Sequence, residues 1–287
     1  MAFRGRIVKQ YQYIDVKEPA TYQNVGLQTT IDGVTIESAI IGYQTLSVEG
    51  RGLVSRDIQT RDYQSLRAGG KTQSSRRKNG NLPQNKMLGS RLSSRTLRIH
   101  FELQAPTDEQ FRRRWERLNA LVNVAEGQFV FSDDSDFHYI GTLSEAEEVE
   151  ETTNHVFSSF SVECVDPYKY SNEIFQWRFA AKGTFGGDFI YPAVLEKAEI
   201  TAGASGSSLV LTNKMQGLRL QIDGAFTSGS KVEINFSNLQ IYDGAGANLM
   251  PALHLLSDFE GFSMSPGDTI EANLQSDVTL YYREKRL

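Results

Sequence analysis

The chain has 287 residues and a mass of 32.2 kDa, enough for one large or two ordinary domains with a sizeable core. A hydrophobic share of 39% with 24 glycines and 7 prolines excludes collagen-like and disordered classes, and the lone Cys164 excludes an intrachain disulfide or a cysteine-based zinc site. The net charge of −5 is unevenly spread: Arg51 to Arg98 holds 12 Lys and Arg against Asp57 and Asp62 alone, so this stretch carries +10 and the remainder −15.

No apolar stretch approaches the roughly 20 residues of a membrane span, and the opening Met1 to Tyr11 has no apolar core behind its charges. The expectation is a protein made and used without Sec export, membrane anchor or membrane insertion. Further along, Arg67 to Lys86 contains almost nothing apolar to bury, so the basic region from about 56 to 95 reads as a long exposed arm ordered by a partner. Phosphates attract such a cluster, but it has no interleaved aromatics apart from Tyr63, so a protein partner is the preferred reading.

Arg95 to Leu103 alternates, with Leu97, Ile99, Phe101 and Leu103 on one face of a strand and Arg98, His100 and Glu102 on the other. Thr107-Asp-Glu-Gln110 fits a capping box, and Phe111, Trp115, Leu118, Leu121 or Val122 and Ala125 recur at helical spacing before Gly127, predicting one amphipathic helix of about 19 residues. Gln128 to Ile140 reads as a hairpin turning at Asp133 to Asp136, Glu145 to Glu151 as a solvated acidic run, and Val156 to Val165 as a strand with Val156, Phe160, Val162 and Cys164 together. Beyond Asp166-Pro167-Tyr168 the turns recur as in an all-β sandwich, with clean alternation in Leu218 to Ile222 and Val232 to Phe236. The predicted fold is mainly β: an α+β N-terminal domain with one long helix and a sandwich or barrel, then an antiparallel β-sandwich.

Catalytic patterns are missing. Gly203-Ala-Ser-Gly-Ser207 ends in the wrong residue for a nucleophile elbow, and no phosphate-binding loop or His-Glu-x-x-His pair occurs. Cys164 falls on an apolar face and reads as a packed residue. Asp133, Asp134 and Asp136 could ligate calcium, but they lack the glycine and terminal glutamate of an EF-hand, and aspartates favour hairpin turns for backbone reasons alone. His100 and His138 are expected on solvent-facing strand positions. The reading is a non-enzyme without cofactor or metal.

Five segments in order carry a resemblance: Leu46 to Leu53 before the arm, Gly89 to Leu103 leading into the capped helix, Phe129 to Gly141, Phe160 to Tyr170 with Asp-Pro-Tyr-Lys-Tyr weighing most, and Val278 to Leu287. In this order they resemble the distal tail proteins of long-tailed phages with non-contractile tails. The resemblance implies a ring-forming N-terminal domain over 1–172 plus a returning strand in 276–287, and a peripheral galectin-like or carbohydrate-module-like sandwich over 173–275. It implies a homohexameric ring below the tail tube, clasped through the arm by Arg56, Arg61, Arg67, Arg76, Arg77 and Lys78. The implied partners are the tube protein, the tape-measure protein, a tail-tip or tail-associated lysin-type hub protein and an adhesion protein, around a channel that passes DNA. The location would be the virion tail tip, after assembly in the host cytoplasm. A rival reading is a carbohydrate-binding tail protein attaching the virion to host cell-wall glycan, with Trp177 and Tyr191 either sugar platforms or interface and core residues. A wall hydrolase dependent on Asp134 is the enzyme alternative.

Overall fold

A computed structural model describes residues 26–62, 85–149 and 153–287. The first half forms one strongly curled antiparallel sheet. Its elements are β1 (Thr29–Ile31), β2 (Val34–Thr35), a short α1 (Ile36–Ala39), β3 (Tyr43–Glu49), a separate hairpin of β4 (Arg56–Asp62) and β5 (Asn85–Leu92), β6 (Arg95–Gln104), α2 (Asp108–Val122), β7 (Gly127–Phe131), β8 (Phe137–Ala146), β9 (His155–Cys164) and β10 (Lys169–Ser171). The sheet runs β2-β1-β7-β8-β9-β6-β3, with β10 beside β8. The alternation of β6 is realised: Leu97, Ile99, Phe101 and Leu103 are buried, and α2 adds Phe111, Leu118 and Val122 to the same core.

The curl brings β1 and β3, from opposite ends of the sheet, together without strand pairing between them. Glu37 fills the seam. Its carboxylate accepts from the Thr29 amide (3.2 Å), the Thr45 amide (3.2 Å) and the Thr45 hydroxyl (2.6 Å), and the Thr29 and Thr45 hydroxyls bond at 2.8 Å. Two edge donors that would otherwise lack partners are thus satisfied by one side chain.

The helix begins as its sequence dictates, with Thr107 Oγ1 accepting from the Gln110 amide at 3.3 Å. It ends at Val122, short of the predicted 19 residues. Asn123 leaves helical geometry, Glu126 takes φ +54 and gives its amide to Thr142 Oγ1, and the chain turns back into β7. Gly127 therefore serves the strand: a Cβ there would meet Val124 Cγ2 at 2.4 Å.

The second half is a β-sandwich of β11 (Phe175–Ala180), β12 (Lys182–Thr184), β13 (Val194–Thr201), β14 (Gly206–Asn213), β15 (Leu218–Phe226), β16 (Lys231–Asn235), β17 (Gln240–Asp243), β18 (Thr269–Ala272) and β19 (Asp277–Arg283), followed by β20 (Lys285–Arg286). One sheet runs β11-β19-β13-β16-β17 and the other β12-β18-β14-β15. Ala181, at φ +53, steps the chain from the first sheet to the second, and Phe185, Leu211, Ile222, Ile234, Ile270 and Leu280 fill the space between them.

The expected return of the C-terminal strand to the first domain is corrected. β19 lies inside the sandwich, paired with β11 on one side and β13 on the other through Val278, Leu280 and Tyr282. These inward side chains are 9% exposed or less, so their alternation belongs to the sandwich core. The chain beyond β19 reaches back: Glu284 exchanges hydrogen bonds with Ser171, and Lys285 and Arg286 pair with Tyr170 and Lys169 of β10.

Candidate functional site

Groups that could have carried chemistry are tied up structurally. Arg51 grips Asp133 through two bonds (2.6 and 2.7 Å) and lies over the Phe131 ring, and this contact holds the Asp133 carboxyl below its usual range. Asp134 receives Lys169 Nζ at 2.5 Å. The aspartate turn is therefore an ion-paired corner, and among the described residues no group of His, Cys, Asp and Glu is arranged to hold a metal. Cys164 is fully buried, and burial pushes its thiol up to about 12, so it is a packed residue rather than a nucleophile. Glu147 of the acidic run pairs with Arg98.

The features pointing to interaction are the arm and its root. Among the described residues β4 and β5 pair only with each other, so the ends of the basic stretch are paired strand rather than loop. Arg56 opens β4 and Arg61 sits in it opposite Lys86; Arg67, Arg76, Arg77 and Lys78 lie outside the described residues. At the root, the Ser93 amide bonds the Ser55 carbonyl at 3.1 Å and the two hydroxyls meet at 2.8 Å.

Arg95 fastens this root to the sheet. It is 3% exposed, and its guanidinium donates to the carbonyls of Pro167 (2.9 Å), Gly50 (2.8 Å) and Gly52 (3.2 Å) while lying over the Tyr139 ring. Nη2 has no partner among the described residues. One buried cation thus joins the entrance of the arm, its exit strand and the Asp-Pro turn, which explains the weight of that turn in the sequence. Gly50, at φ +87, is required here, since a Cβ would lie 1.9 Å from the Thr96 carbonyl oxygen. A legible signal existed: Arg95 occupies the inward phase of the Leu97, Ile99, Phe101 alternation, where a charge is out of place.

A second set of contacts joins the two domains. β10 lies between β8 and β20; the Arg283 guanidinium donates to the carbonyls of Ser171 (2.7 Å) and Asn172 (2.8 Å) and to Glu196 (2.8 Å). His138, expected at a solvent-facing position, is 4% exposed, with the Tyr170 ring 5.9 Å away on the neighbouring β10 and Asn172 against it at the domain junction. Its Nδ1 pairs with Asn172 Oδ1 at 2.7 Å, and burial holds its imidazole below the ordinary histidine value despite that bond. Lys285 lies over Tyr168 and Arg286 over Phe137.

Trp177 and Tyr191 are not brought together. Trp177 is half-buried against the sandwich core, with ring centroids 4.5 Å from Phe179 and 5.1 Å from Phe185. Tyr191 meets Tyr168 edge-on at 5.0 Å, at the domain junction. Tyr191 also lines a surface pocket with Phe189, Ile190 and Arg286.

Residues 193–285 match the family described as siphovirus-type tail component, C-terminal domain. No curated protein matches the chain. Among solved structures it is similar to the Dit protein of phage SPP1, described as a paradigm of the hub adsorption apparatus in phages infecting Gram-positive bacteria, with TM-score 0.69 and 18% identity over 91% of this chain and 99% of that one. More distant are chains of the phage P2 baseplate in its activated conformation, with Ca (TM-score 0.49, 11% identity, 91% and 98% coverage) and with Sr (0.47, 10%, 91% and 98%). Residues 193–285, the C-terminal third, thus match a siphovirus-type tail component domain, and over nine-tenths of its length the chain shares the fold of SPP1 Dit.

Proposed function

We propose that this tail component is the hub of the tail tip: a homohexameric ring that joins the tail tube to the adhesion apparatus and catalyses nothing. The observation that carries the reading is the arm hairpin, which leaves the curled sheet from a root locked by Arg95 and, among the described residues, pairs with no other strand. A root fixed by Arg95 with a basic hairpin projecting from it suits a clasp on a neighbouring copy. The arm's stretch carries +10 and the remainder −15, so identical subunits attract head to tail, the contact that closes a ring.

In this reading Arg56, Arg61, Arg67, Arg76, Arg77 and Lys78 contribute to the clasp. The sheet domain meets the tube protein above and a tail-associated hub protein below, the channel passes the tape-measure protein and then DNA, and the outer sandwich offers its surface to the adhesion protein. The protein would act at the tail tip of the virion after assembly in the host cytoplasm. Deleting residues 69–85 tests the clasp: ring assembly should be lost while both domains stay folded, and rings of unchanged yield would refute it.

A further inference from the structure

The described chain passes from the curled sheet to the sandwich once, through Asn172 to Ile174 between β10 and β11, so side-chain and edge contacts decide how one domain is seated on the other. Asn172 ties the two sides. Its amide donates to the Asp136 carbonyl (2.8 Å) and its Nδ2 to the Ser135 carbonyl (2.6 Å), while its own carbonyl accepts Arg283 Nη1 (2.8 Å) from the sandwich. That leaves Asn172 Oδ1 as the acceptor for His138 Nδ1 at 2.7 Å, so the neutral ring carries its proton on Nδ1.

A second proton would go to Nε2 and make a buried cation of the ring. Arg283 of β19 and Glu196 of β13 face it from the sandwich, already bonded to each other at 2.8 Å, and Tyr170 of β10 flanks it with ring centroids 5.9 Å apart. Lys169 of β10 and Arg286 of β20 lie over the ring of the adjacent Phe137. An imidazolium here would therefore meet the Arg283 guanidinium away from water, and the carboxylate that could relieve it is engaged by Arg283. Burial holds the ring below the ordinary histidine value against the Asn172 bond, with Arg283 adding to the depression and Glu196 opposing it. The seated junction thus prefers neutral His138, whereas a released junction returns the ring to water and to a value near 6.5.

We propose that His138 makes this junction an acid-released latch: its protonation unseats Arg283 and β20 from β10 and frees the sandwich to reorient on the sheet domain while both cores stay folded. The latch does not depend on the hub reading.

Hydrogen exchange of the full-length protein between about pH 7.5 and 5, corrected for the intrinsic rate, tests it. The reporters are the amides of Ser171, Asn172 and Glu284, which donate to the Glu284 carbonyl, the Asp136 carbonyl and Ser171 Oγ, and the controls are the core amides of Ile99 and Ile234. Acidification should lower reporter protection by about threefold to thirtyfold, the upper limit belonging to a ring that stays neutral while seated, and leave the controls unchanged. His138→Gln should abolish the loss. Asn172→Asp, whose carboxylate favours the imidazolium, should abolish or reverse it. A loss below about threefold, an equal loss at the control amides, or an undiminished loss in either variant would overturn the proposal.

Discussion

Replacing Arg95 by methionine should destabilise the sheet domain selectively. The substitution keeps an unbranched apolar stem but removes three hydrogen bonds, leaving the carbonyls of Pro167, Gly50 and Gly52 without their buried donor. An unpaired buried polar group costs about 1 to 3 kcal/mol, and relief of guanidinium desolvation offsets part of the sum, giving a net loss of about 3 kcal/mol. For a domain of this size that lowers the melting midpoint by about 6 to 12 °C. The chain's two tryptophans allow the loss to be located, since Trp115 packs on the core of the curled sheet and Trp177 on that of the sandwich. In a Trp177→Phe background, Arg95→Met should shift the fluorescence transition of Trp115; in a Trp115→Phe background the Trp177 transition should stay in place. Arg95→Lys should recover less than half of the loss, because an ammonium cannot span the same fork of carbonyls. A shift below about 0.5 kcal/mol, or an equal shift in both reporters, would refute the root-clamp argument.

Four further outcomes follow from the geometry. Glu37→Ala removes the acceptor shared by Thr29 and Thr45 and should cost about 1 to 2 kcal/mol in urea unfolding followed by Trp115, with Glu37→Gln milder. Gly50→Ala, with a Cβ 1.9 Å from a backbone oxygen at φ +87, should cost about 2 kcal/mol or more by the same assay. His138 is held below its unfolded value near 6.5, so the unfolded chain binds the proton first; stability should fall as pH drops below 6.5 and level off beneath the folded value, and His138→Gln should flatten the urea midpoint between about pH 6.5 and 5. Truncation after Glu284 removes β20 and should leave the Trp177 transition intact, whereas truncation after Ser276 also removes β19 from between β11 and β13 and should abolish it.

Much of the fold was legible where a single periodicity ruled. β6 is buried on alternate residues as its sequence implies, and the α2 cap sits at Thr107. The errors share one cause, a tertiary neighbour the local pattern does not report. His138 reads as exposed because one face of β8 should be wet, yet Tyr170 and Asn172 pack against it at the domain junction. The C-terminal strand alternates in a way that fits either core, and only pairing with β11 and β13 decides which. Gly127 reads as a helix stop, but its smallness serves the turn against Val124. The arm was visible as charge and absence of apolar residues; its strand ends were not, because Arg56 to Asp62 is polar throughout except Ile58. The Arg95 clamp is the part of the site that the sequence hid in plain view, as a charge in an inward phase.

The measurement that tests the hub account most directly is the solution mass of the purified full chain, alone and after incubation with assembled tail tubes, together with images of the same fractions. The account predicts closed six-fold rings of six times 32.2 kDa, free or capping one end of the tube. A chain that stays monomeric in both conditions, or that polymerises without closing at six copies, would contradict it.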